Sequence, residues 1–444
     1  MLIPEGVGRC IEALETAGFE AYCVGGCVRD SLLGKTPHDF DLCTSARPER
    51  MEEIFHNFRL VLAGEKHGTV GVITEDGVVE ITTFRTEGTY ADNRHPDKVD
   101  FVTDIRQDLA RRDFTVNAMA YSPKRGLIDP FDGAEDLKNR CLRCVGEPET
   151  RFREDALRIL RGVRFSVTYG LTPEGKTERA MEALAPLLDH LARERVFSEF
   201  CGFLPKITAE ELARFGPIIT QVIPELRETV GFDQHSPHHK YDLYTHIAHV
   251  VEGVPGDVTL RWAALLHDVG KIPTFTRDET GRGHFYGHAQ VGARMAEDIL
   301  RRLKAPTALR EQAVLLIGQH MTRLQPDRRL VKRYFSRWGR ETVEKLLYLQ
   351  QADMGSKGVP GEEGRDEFAL LWQLLRDVEA ENSCLTLRDL SVNGRDLMAL
   401  GYQGRAIGEG LQDLLDAVLD EQVPNEKKAL LEFLQQRRKH SGGS

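Results

Sequence analysis

The chain has 444 residues, of which 41% are hydrophobic and 29% are charged. This length and composition exclude a disordered or fibrous protein and predict about two to four packed domains. The 59 basic and 69 acidic residues give a formal net charge of -10. Bulk positive charge therefore does not hold this protein on nucleic acid or membrane, and a nucleic-acid site must be a local basic surface.

The cysteines and the N-terminus indicate a cytoplasmic protein without a membrane partner. The eight cysteines are scattered, and the pair Cys141 and Cys144 has no second pair that would complete a zinc site, so we expect reduced thiols. The first residues lack the basic region and the apolar core of a signal peptide, and no apolar run approaches the ~18 residues of a membrane span.

In chain order, short β-branched runs come first and helical patterns follow. We predict strands at 21–24, 58–63, 69–73 and 78–84, and helices at 153–166, 177–195, 258–266, 289–303 and 362–378. The fold class is therefore α+β, with a mixed head and an all-helical remainder. Breaks at Gly and Pro divide the chain into a head at 1–140, a helical neck at 141–205, a helical body at 206–360 and a helical tail at 361–444.

A glycine turn and two aspartates form the most informative pattern of the head. Gly25 and Gly26 precede a helical segment that contains Arg29, and such glycines let backbone amides approach a phosphate at a helix N-terminus. Asp39 and Asp41 are two residues apart, so in a strand both carboxylates leave the same face. Each feature alone also fits an ordinary turn. Together they indicate a site for phosphate and metal, because two adjacent negative charges need a cation.

Hard oxygen ligands of this kind suit Mg²⁺, which is completed by water and by substrate phosphates. A third carboxylate is available from the predicted strand at 78–84, where Glu80 points away from the apolar Val79 and Ile81. We expect Asp39, Asp41 and Glu80 to form a catalytic group that activates an attacking hydroxyl and stabilises leaving pyrophosphate.

Five segments in order resemble the tRNA nucleotidyltransferase and poly(A) polymerase family, the bacterial-type (class II) branch of the polymerase-β-like nucleotidyltransferases. They are Gly25-Gly26-Cys27-Val28-Arg29-Asp30, Asp39-Phe40-Asp41, Thr83-Phe84-Arg85-Thr86-Glu87, Arg111-Arg112-Asp113-Phe114-Thr115-Val116-Asn117-Ala118 and Glu154-Asp155-Ala156-Leu157-Arg158. The resemblance implies an enzyme that adds C, C and A to the 3′ end of tRNA from CTP and ATP without a nucleic-acid template.

The resemblance also implies roles for single residues. Arg112, Asp113 and Asn117 match the segment that handles the ribose and the triphosphate; a surface charge run that caps a helix is the alternative. Asp155 and Arg158, three apart on a predicted helix, match the pair that selects the base, and an intrahelical salt bridge is the alternative. On the same helix, Arg161 and Arg164 continue a basic face that meets the triphosphate or the acceptor end.

The segment 84–101, with Arg85, Glu87, Tyr90, Asp92, Arg94 and Pro96, corresponds to the flexible loop of complete CCA-adding enzymes. Its presence favours CCA addition over CC-only addition. It discriminates less well against poly(A) addition, because the two heads are similar. A tRNA-binding protein with inactive sites is a further alternative.

A second constellation follows in the helical part. Imidazoles and carboxylates from separate helices can hold one or two divalent ions that activate water for phosphoester hydrolysis. Helical sequence contains, in order, His246, His267, Asp268, His288, His320 and Asp353. This series resembles the HD phosphohydrolase superfamily, which implies a first metal at His246, His267, Asp268 and Asp353 and a second at His288 and His320. The metal is nickel, manganese or magnesium. The alternative is a scaffold that is retained without activity. His238, His239 and His249 do not match the pattern.

The densest basic stretch includes Arg328, Arg329, Lys332 and Arg333, with further arginines at 323, 337 and 340 and the aromatics Tyr334, Phe335 and Trp338. Either it contacts RNA, or it is a solvated helix with its aromatics packed inward. The segment that begins at Val392 resembles the family tail that holds the tRNA elbow.

Overall fold

The computed structural model describes residues 1–37, 39–64, 68–87, 99–236, 240–357, 365–381 and 384–441. Two compact units divide the chain, and each has its own hydrophobic clusters. The first unit contains residues 1–227 and 301–305, and the second contains residues 228–300 and 306–444.

The strands of the first unit lie mainly in its first 130 residues. They are β1 (Ala21–Val24), β2 (Asp41–Thr44), β3 (Arg59–Val61), β4 (Thr69–Thr74), β5 (Gly77–Thr83), β6 (Arg85–Glu87), β7 (Val99–Phe101), β8 (Ala120–Ser122), β9 (Gly126–Ile128), β10 (Cys141–Leu142) and β11 (Thr172–Pro173). The predicted strands at 21–24, 58–63, 69–73 and 78–84 are confirmed as β1, β3, β4 and β5.

Within the described residues, seven of these strands form one sheet in the order β3-β4-β5-β2-β1-β8-β9. Its pairs are antiparallel except for β2 and β5, which run parallel with Asp41 opposite Glu80. Side chains alternate between two hydrophobic clusters, because Ala21 and Cys23 of β1 enter one and Tyr22 and Val24 enter the other. Both faces of the central strands are therefore covered.

Helices surround this sheet and build the rest of the first unit. They are α1 (Glu5–Thr16), α2 (Gly26–Leu32), α3 (Pro48–Ile54), α4 (Ile105–Ala110), α5 (Gly133–Lys138), α6 (Pro148–Glu154), α7 (Leu157–Tyr169), α8 (Gly175–Ala183), α9 (Arg193–Phe203), α10 (Ala209–Arg214) and α11 (Gly216–Val222), with 3₁₀ helices at Thr115–Asn117, Ala185–His190 and Pro224–Thr229. A capping box of Thr208 and Glu211 begins α10.

Two predicted helices of this unit are interrupted in the structure. The one at 153–166 is broken at Asp155, which is extended (φ -142°, ψ 105°) between α6 and α7. The cause is local, because the Asp155 carboxylate accepts the amide hydrogen of Leu157 at 3.0 Å and so caps the second helix. The one at 177–195 divides into α8, a 3₁₀ helix that contains Pro186 in its first turn, and the start of α9.

The second unit is predominantly helical. It contains α12 (Leu243–Gly253), α13 (Val258–Leu266), α14 (Lys271–Thr274), α15 (His288–Arg302), α16 (Thr307–Gln319), α17 (Arg328–Trp338), α18 (Arg340–Gly355), α19 (Arg365–Ala380), α20 (Gly394–Ala399), α21 (Arg405–Leu419) and α22 (Lys427–Ser441), with a 3₁₀ helix at Leu387–Asp389. The predicted helices at 258–266, 289–303 and 362–378 correspond to α13, α15 and α19. Side-chain caps from Asp242, Asp257 and Asp327 begin α12, α13 and α17.

The expectation of an all-helical remainder is wrong in two places. In the first unit, β11 pairs in parallel with β10. In the second unit, β12 (Phe275–Arg277) and β13 (Gly283–Phe285) form an antiparallel hairpin whose phenylalanines pack on Phe232. These strands have two or three residues, which is too short for a periodic signal in the sequence.

None of the helices in the described ranges is long and apolar enough to cross a membrane.

Candidate active site and metal centre

A cavity of about 750 Å³ opens in the first unit where β1 turns into α2 and where α7 passes. It collects twelve of the thirteen residues predicted for catalysis and nucleotide binding: Gly25, Gly26, Arg29, Asp39, Asp41, Arg112, Asp113, Asn117, Asp155, Arg158, Arg161 and Arg164. Arginines outnumber aspartates in its lining. A cavity of this charge suits a polyphosphate.

The glycine turn places backbone against a guanidinium group. Gly25 has φ +72°, and a Cβ added there would lie 2.9 Å from Nη1 of Arg112. Any larger residue would therefore displace Arg112 and strain the backbone. The Nε atom of Arg112 is buried without a hydrogen-bond partner among the described residues, and Arg112 lines the cavity.

The structure places the three predicted carboxylates on and beside two neighbouring strands. Asp41 is the first residue of β2, and its parallel partner Glu80 lies between the buried Val79 and Ile81, so both carboxylates are on the same face. Asp39 lies before the strand rather than within it, although it lines the same cavity. Glu80 does not line the cavity and lies opposite Asp41 on the neighbouring strand.

The surroundings of Asp41 disfavour its ionised form. Removal from water raises the pKa of its carboxyl, and the charges of Glu80 and Asp39 raise it further, while Arg112 lowers it. A bound divalent cation would relieve this repulsion, so the carboxylates fit a metal that is completed by substrate phosphates.

Asp113 is the centre of a buried hydrogen-bond network. Its Oδ2 accepts from Nε of Arg161 at 2.7 Å, and its Oδ1 accepts from Nδ2 of Asn117 at 3.2 Å and from the amide of Phe114 at 2.8 Å. Burial alone would raise the pKa of Asp113, but Arg161 and these donors lower it to about 2. Asp113 is therefore ionised at neutral pH.

The residues predicted to select the base have different partners from those expected. Asp155 and Arg158 do not share a helix face, because Asp155 precedes α7. Asp155 accepts from Arg195 of α9 at 3.1 Å. Arg158 donates to Glu154 at 2.7 Å and to the carbonyl oxygens of Arg151 and Arg111. Both residues nevertheless line the cavity.

Asp108 is a site residue that the sequence analysis missed. Its carboxylate is fully buried and pairs with Arg111 at 3.0 Å and with Arg112 at 3.3 Å. It thereby orients the two arginines. The spacing of three and four residues on one helix was the available signal.

The predicted histidines and aspartates of the second unit converge on Asp268. Ligand atoms of His246, His267, Asp268 and Asp353 lie within 4.8 Å of one another, and so do those of Asp268, His288 and His320. The Oδ2 atom of Asp268 is 3.2 Å from Nε2 of His267, and its Oδ1 is 3.4 Å from Nε2 of His288. Asp268 therefore joins two adjacent groups.

Backbone carbonyls fix the tautomers of these imidazoles. The Nδ1 atoms of His246, His267, His288 and His320 contact the carbonyl oxygens of Ser356, Ala264, Phe285 and Ile317 at 2.6 to 3.2 Å. A carbonyl only accepts, so each Nδ1 carries the hydrogen and each Nε2 is directed inward. This second contact is typical of metal-binding histidines.

Buried atoms of this centre match a cation. Nε2 of His267 is buried and makes no hydrogen bond in the part of the chain that the structure describes, while Oδ2 of Asp268 lies 3.2 Å from this nitrogen and 2.7 Å from Nζ of Lys271. Burial opposes the charged form of His246, but Asp268 and Asp353 raise its pKa to about 9. Burial and the charge of His267 lower the pKa of His320 to about 4. At neutral pH a divalent metal would have to displace the proton of His246. The carboxylates and the inward nitrogens are then the donor set that such a metal requires.

Lys271 was also missed by the sequence analysis. Its ammonium group is buried, 2.7 Å from Asp268 and 2.9 Å from Oε1 of Gln234. His249 lies outside both metal groups and contacts the Tyr241 ring at a tilted angle, with 4.7 Å between the ring centres. His238 and His239 lie outside the described residues, as do His38 and residues 88–98 of the predicted loop.

Each of the eight cysteines, all within the described ranges, is a free thiol.

The basic helix α17 has acidic partners within its own unit. Arg328 and Lys332 contact Glu421 at 2.9 and 2.7 Å, Arg329 is 3.9 Å from the same residue, and Arg333 contacts Asp420 at 2.6 Å. Phe335 is buried, whereas Tyr334 and Trp338 stack and line a cavity of about 810 Å³. RNA contact by the four basic residues stays a prediction, and RNA would compete with these carboxylates.

Three protein families match parts of the chain. Residues 21–143 match the "Poly A polymerase head domain", residues 170–227 match the "Probable RNA and SrmB- binding site of polymerase A", and residues 245–354 match the "HD domain".

Curated relatives match the whole length. A CCA-adding enzyme of Levilactobacillus brevis is 35% identical over 430 residues, 95% of this chain and 95% of that protein. A CCA-adding enzyme of Geobacillus thermodenitrificans is 33% identical over 436 residues, 96% of this chain and 95% of that protein.

Solved structures agree with this match. The Bacillus stearothermophilus CCA-adding enzyme in complex with CTP is 29% identical, covers 99% of both chains and has a TM-score of 0.71. The Thermotoga maritima enzyme complexed with tRNA_CCA, at 21% identity and a TM-score of 0.61, shares the fold; the match covers 98% of this chain and 96% of that one. With relatives above 30% identity along almost its entire length, the chain belongs to the family of CCA-adding enzymes.

Proposed function

We propose that this protein adds the 3′-terminal CCA to tRNA from CTP and ATP by nucleotidyl transfer without a nucleic-acid template. The observation that carries the proposal is the single cavity in which Asp39 and Asp41 lie beside the arginines of α7. Carboxylates for a metal and cations for a triphosphate are the two requirements of phosphoryl-group chemistry. We place the reaction in the cytoplasm, where tRNA, CTP and ATP are available.

Four functional regions follow the proposed division of the chain. Residues 1–140 form the catalytic head, 141–205 the neck that selects the nucleotide, 206–360 the body with the HD domain, and 361–444 the tail that contacts tRNA. The cavity supports the first two assignments, because its lining comes from both the head and α7.

The nucleotide is held by groups along the cavity. Backbone amides at Gly25 and Gly26, with Arg112, Arg161 and Arg164, bind the triphosphate. The Asp113 carboxylate accepts a hydrogen bond from a ribose hydroxyl, and the Asn117 amide donates one. Asp155 and Arg158 present an acceptor and a donor to the base edge, and Arg158 must exchange one of its present contacts for this.

We assign the divalent cation at Asp39 and Asp41 to Mg²⁺, with Glu80 as the supporting acid. When bound, Mg²⁺ neutralises phosphate charge and favours the ionised form of the attacking hydroxyl. The 3′ hydroxyl of the tRNA releases its proton to water as its oxygen forms a bond to the α-phosphorus of CTP or ATP. The bond from that phosphorus to the oxygen that bridges to the β-phosphorus breaks. Pyrophosphate leaves, and its charge is balanced by the arginines.

Incubation with Mg²⁺, CTP, ATP and a tRNA that ends just before CCA tests the proposal, with sequencing of the 3′ ends. Addition of C, C and A in this order is expected. A long A tail without CTP would instead indicate a poly(A) polymerase. Nucleotide and tRNA binding without extension would indicate a tRNA-binding protein, and both results contradict the proposal.

A second activity is supported by the two metal groups that share Asp268. We propose that the HD domain hydrolyses phosphomonoesters or 2′,3′-cyclic phosphates at RNA ends with nickel, manganese or magnesium. Metal-stimulated phosphate release from the wild type and its loss in His267→Ala, with CCA addition retained, are expected. No release from wild-type protein with any of the three metals would indicate a retained scaffold.

A further inference from the structure

An aromatic ridge on α7 faces the arginines of the nucleotide cavity. Phe165 and Tyr169 are four residues apart, so they lie on the same side of the helix. The guanidinium carbons of Arg29, Arg161 and Arg164 lie 5.4, 5.1 and 4.7 Å from the centre of the Phe165 ring. These are cation–π distances. The ridge therefore supports cations from two separate parts of the chain.

Tyr169 makes the closest of these contacts. The guanidinium carbon of Arg29 lies 4.0 Å from the centre of its ring, and Nη2 of Arg29 donates to its hydroxyl group. Lys35 lies 4.9 Å from the same ring. Arg29 is only 5% exposed, so the aromatic contact replaces much of the water that a guanidinium group normally holds.

The remaining donors of Arg29 are directed into the head. Its Nε donates to Asp30 at 3.0 Å, and its Nη1 donates to Oδ1 of Asn117. This fixes the Asn117 amide, whose Nδ2 then donates to Asp113. Arg161 of α7 completes the path at Asp113. These contacts connect five side chains in series, beginning and ending on α7: Tyr169, Arg29, Asn117, Asp113 and Arg161.

We propose that Tyr169 is a positioning residue that sets Arg29 and, through it, the Asn117 and Asp113 side chains that bind the ribose. This inference rests on the proposed nucleotidyl transfer. Tyr169 stabilises the bound nucleotide equally before and in the transition state, so its loss acts on KM rather than on kcat. Because these contacts lead from Tyr169 to Asn117 and Asp113, the groups assigned to the ribose, the preference for CTP over dCTP also depends on Tyr169.

Kinetics of CTP addition in two variants test the inference. Tyr169→Phe keeps the ring and removes the hydroxyl, whereas Tyr169→Leu removes both. We expect the KM for CTP to rise about threefold in the first and about tenfold in the second, with kcat within about twofold of wild type. The ratio of kcat/KM for CTP to that for dCTP falls in Tyr169→Leu. Tyr121→Phe is the matched control, because Tyr121 on β8 does not line the cavity.

A double-mutant cycle separates positioning from direct contact. If Tyr169 acts through Arg29, Tyr169→Leu in an Arg29→Lys background raises KM by no more than about twofold, because the interaction is already lost. If the Tyr169→Leu and Arg29→Lys substitutions multiply KM independently in the double variant, the proposal is overturned. An unchanged KM in both single variants would also overturn it, and Tyr169→Phe alone decides the matter if Tyr169→Leu does not fold.

Equilibrium binding of CTP separates this inference from the function on which it rests. Wild-type protein that binds CTP and adds no nucleotide would contradict the proposed function. The variants would then still be compared by their dissociation constants for CTP and dCTP. Dissociation constants equal to those of wild type would contradict the role of Tyr169.

Discussion

Asp41 carries a charge that the folded head opposes. Its pKa is raised by removal from water and by Glu80 and Asp39. A raised folded-state pKa contributes stability below the unfolded pKa, and this contribution is lost as the pH rises through the folded value. At neutral pH without metal, the ionised carboxylate therefore destabilises the head, which is the usual relation between a functional site and stability.

Replacement of Asp41 by Asn separates the contribution of its charge to activity from the effect of that charge on stability. We expect CCA addition to fall by about 10³-fold, because a charged ligand at the reacting phosphate is lost. We also expect a higher thermal unfolding midpoint in metal-free buffer at pH 7. Glu12→Gln, an exposed change on α1, is the control and leaves both quantities unchanged. Retained turnover in Asp41→Asn would contradict the assignment of the site.

At the scale of secondary-structure elements, close backbone contacts determine how the metal ligands meet. Gly270 follows the end of α13, and a Cβ there would lie 2.2 Å from the carbonyl oxygen of His288 and 2.4 Å from the amide nitrogen of Gly292. These atoms belong to the first turns of α15. The absence of a side chain at Gly270 thus allows α15 to bring His288 to Asp268.

Gly270→Ala should separate the two metal groups. The helix α15 must move away, at a cost of about 1–3 kcal/mol. We expect the rise in unfolding midpoint on addition of Mn²⁺ to decrease and phosphate release to fall, while CCA addition continues. Gly318→Ala is the control, since a Cβ there would have only an ordinary contact, 3.6 Å from Ala293. An unchanged response to Mn²⁺ in Gly270→Ala would refute this account.

The elements differ in how far the sequence predicts them. The short β-branched runs of β1 and β5 and the apolar stretch of α13 are local signals, and the structure confirms them. The break at Asp155 depends on one side-chain cap within a helical pattern. The acidic partners of α17 lie about 90 positions away in the chain, so no local pattern reveals them. Motifs indicated the residues that the structure brings together, but the contacts of Asp108, Lys271 and Tyr169 required the fold.

At the scale of the second unit, the tail is joined to α17 by a group of ion pairs around Glu421. Arg328, Arg329 and Lys332 all approach its carboxylate. Exposed pairs of this kind contribute up to about 1 kcal/mol each and weaken with salt. The Glu421 carboxylate thereby offsets part of the positive charge of α17.

Glu421→Lys should reverse this attraction. Four cations would then face one another, so we expect faster hydrogen exchange in α17 and α21 at low salt and a smaller difference from wild type at high salt. Glu409→Lys is the control, because Glu409 pairs only with the nearby Arg405 on α21 among the contacts that the structure describes. A difference from wild type that does not depend on salt would contradict an electrostatic origin.

The nucleotide cavity takes its walls from segments that are far apart in the order of synthesis. A nascent chain that has reached the last strand of the seven-stranded sheet contains both aspartates and the glycine turn. It still lacks Arg158, Arg161, Arg164, Phe165 and Tyr169, which complete the opposite wall. If the cavity binds nucleoside triphosphates as proposed, we expect the emerging head to bind them only weakly on the ribosome. Full binding then requires α7 to leave the exit tunnel and fold.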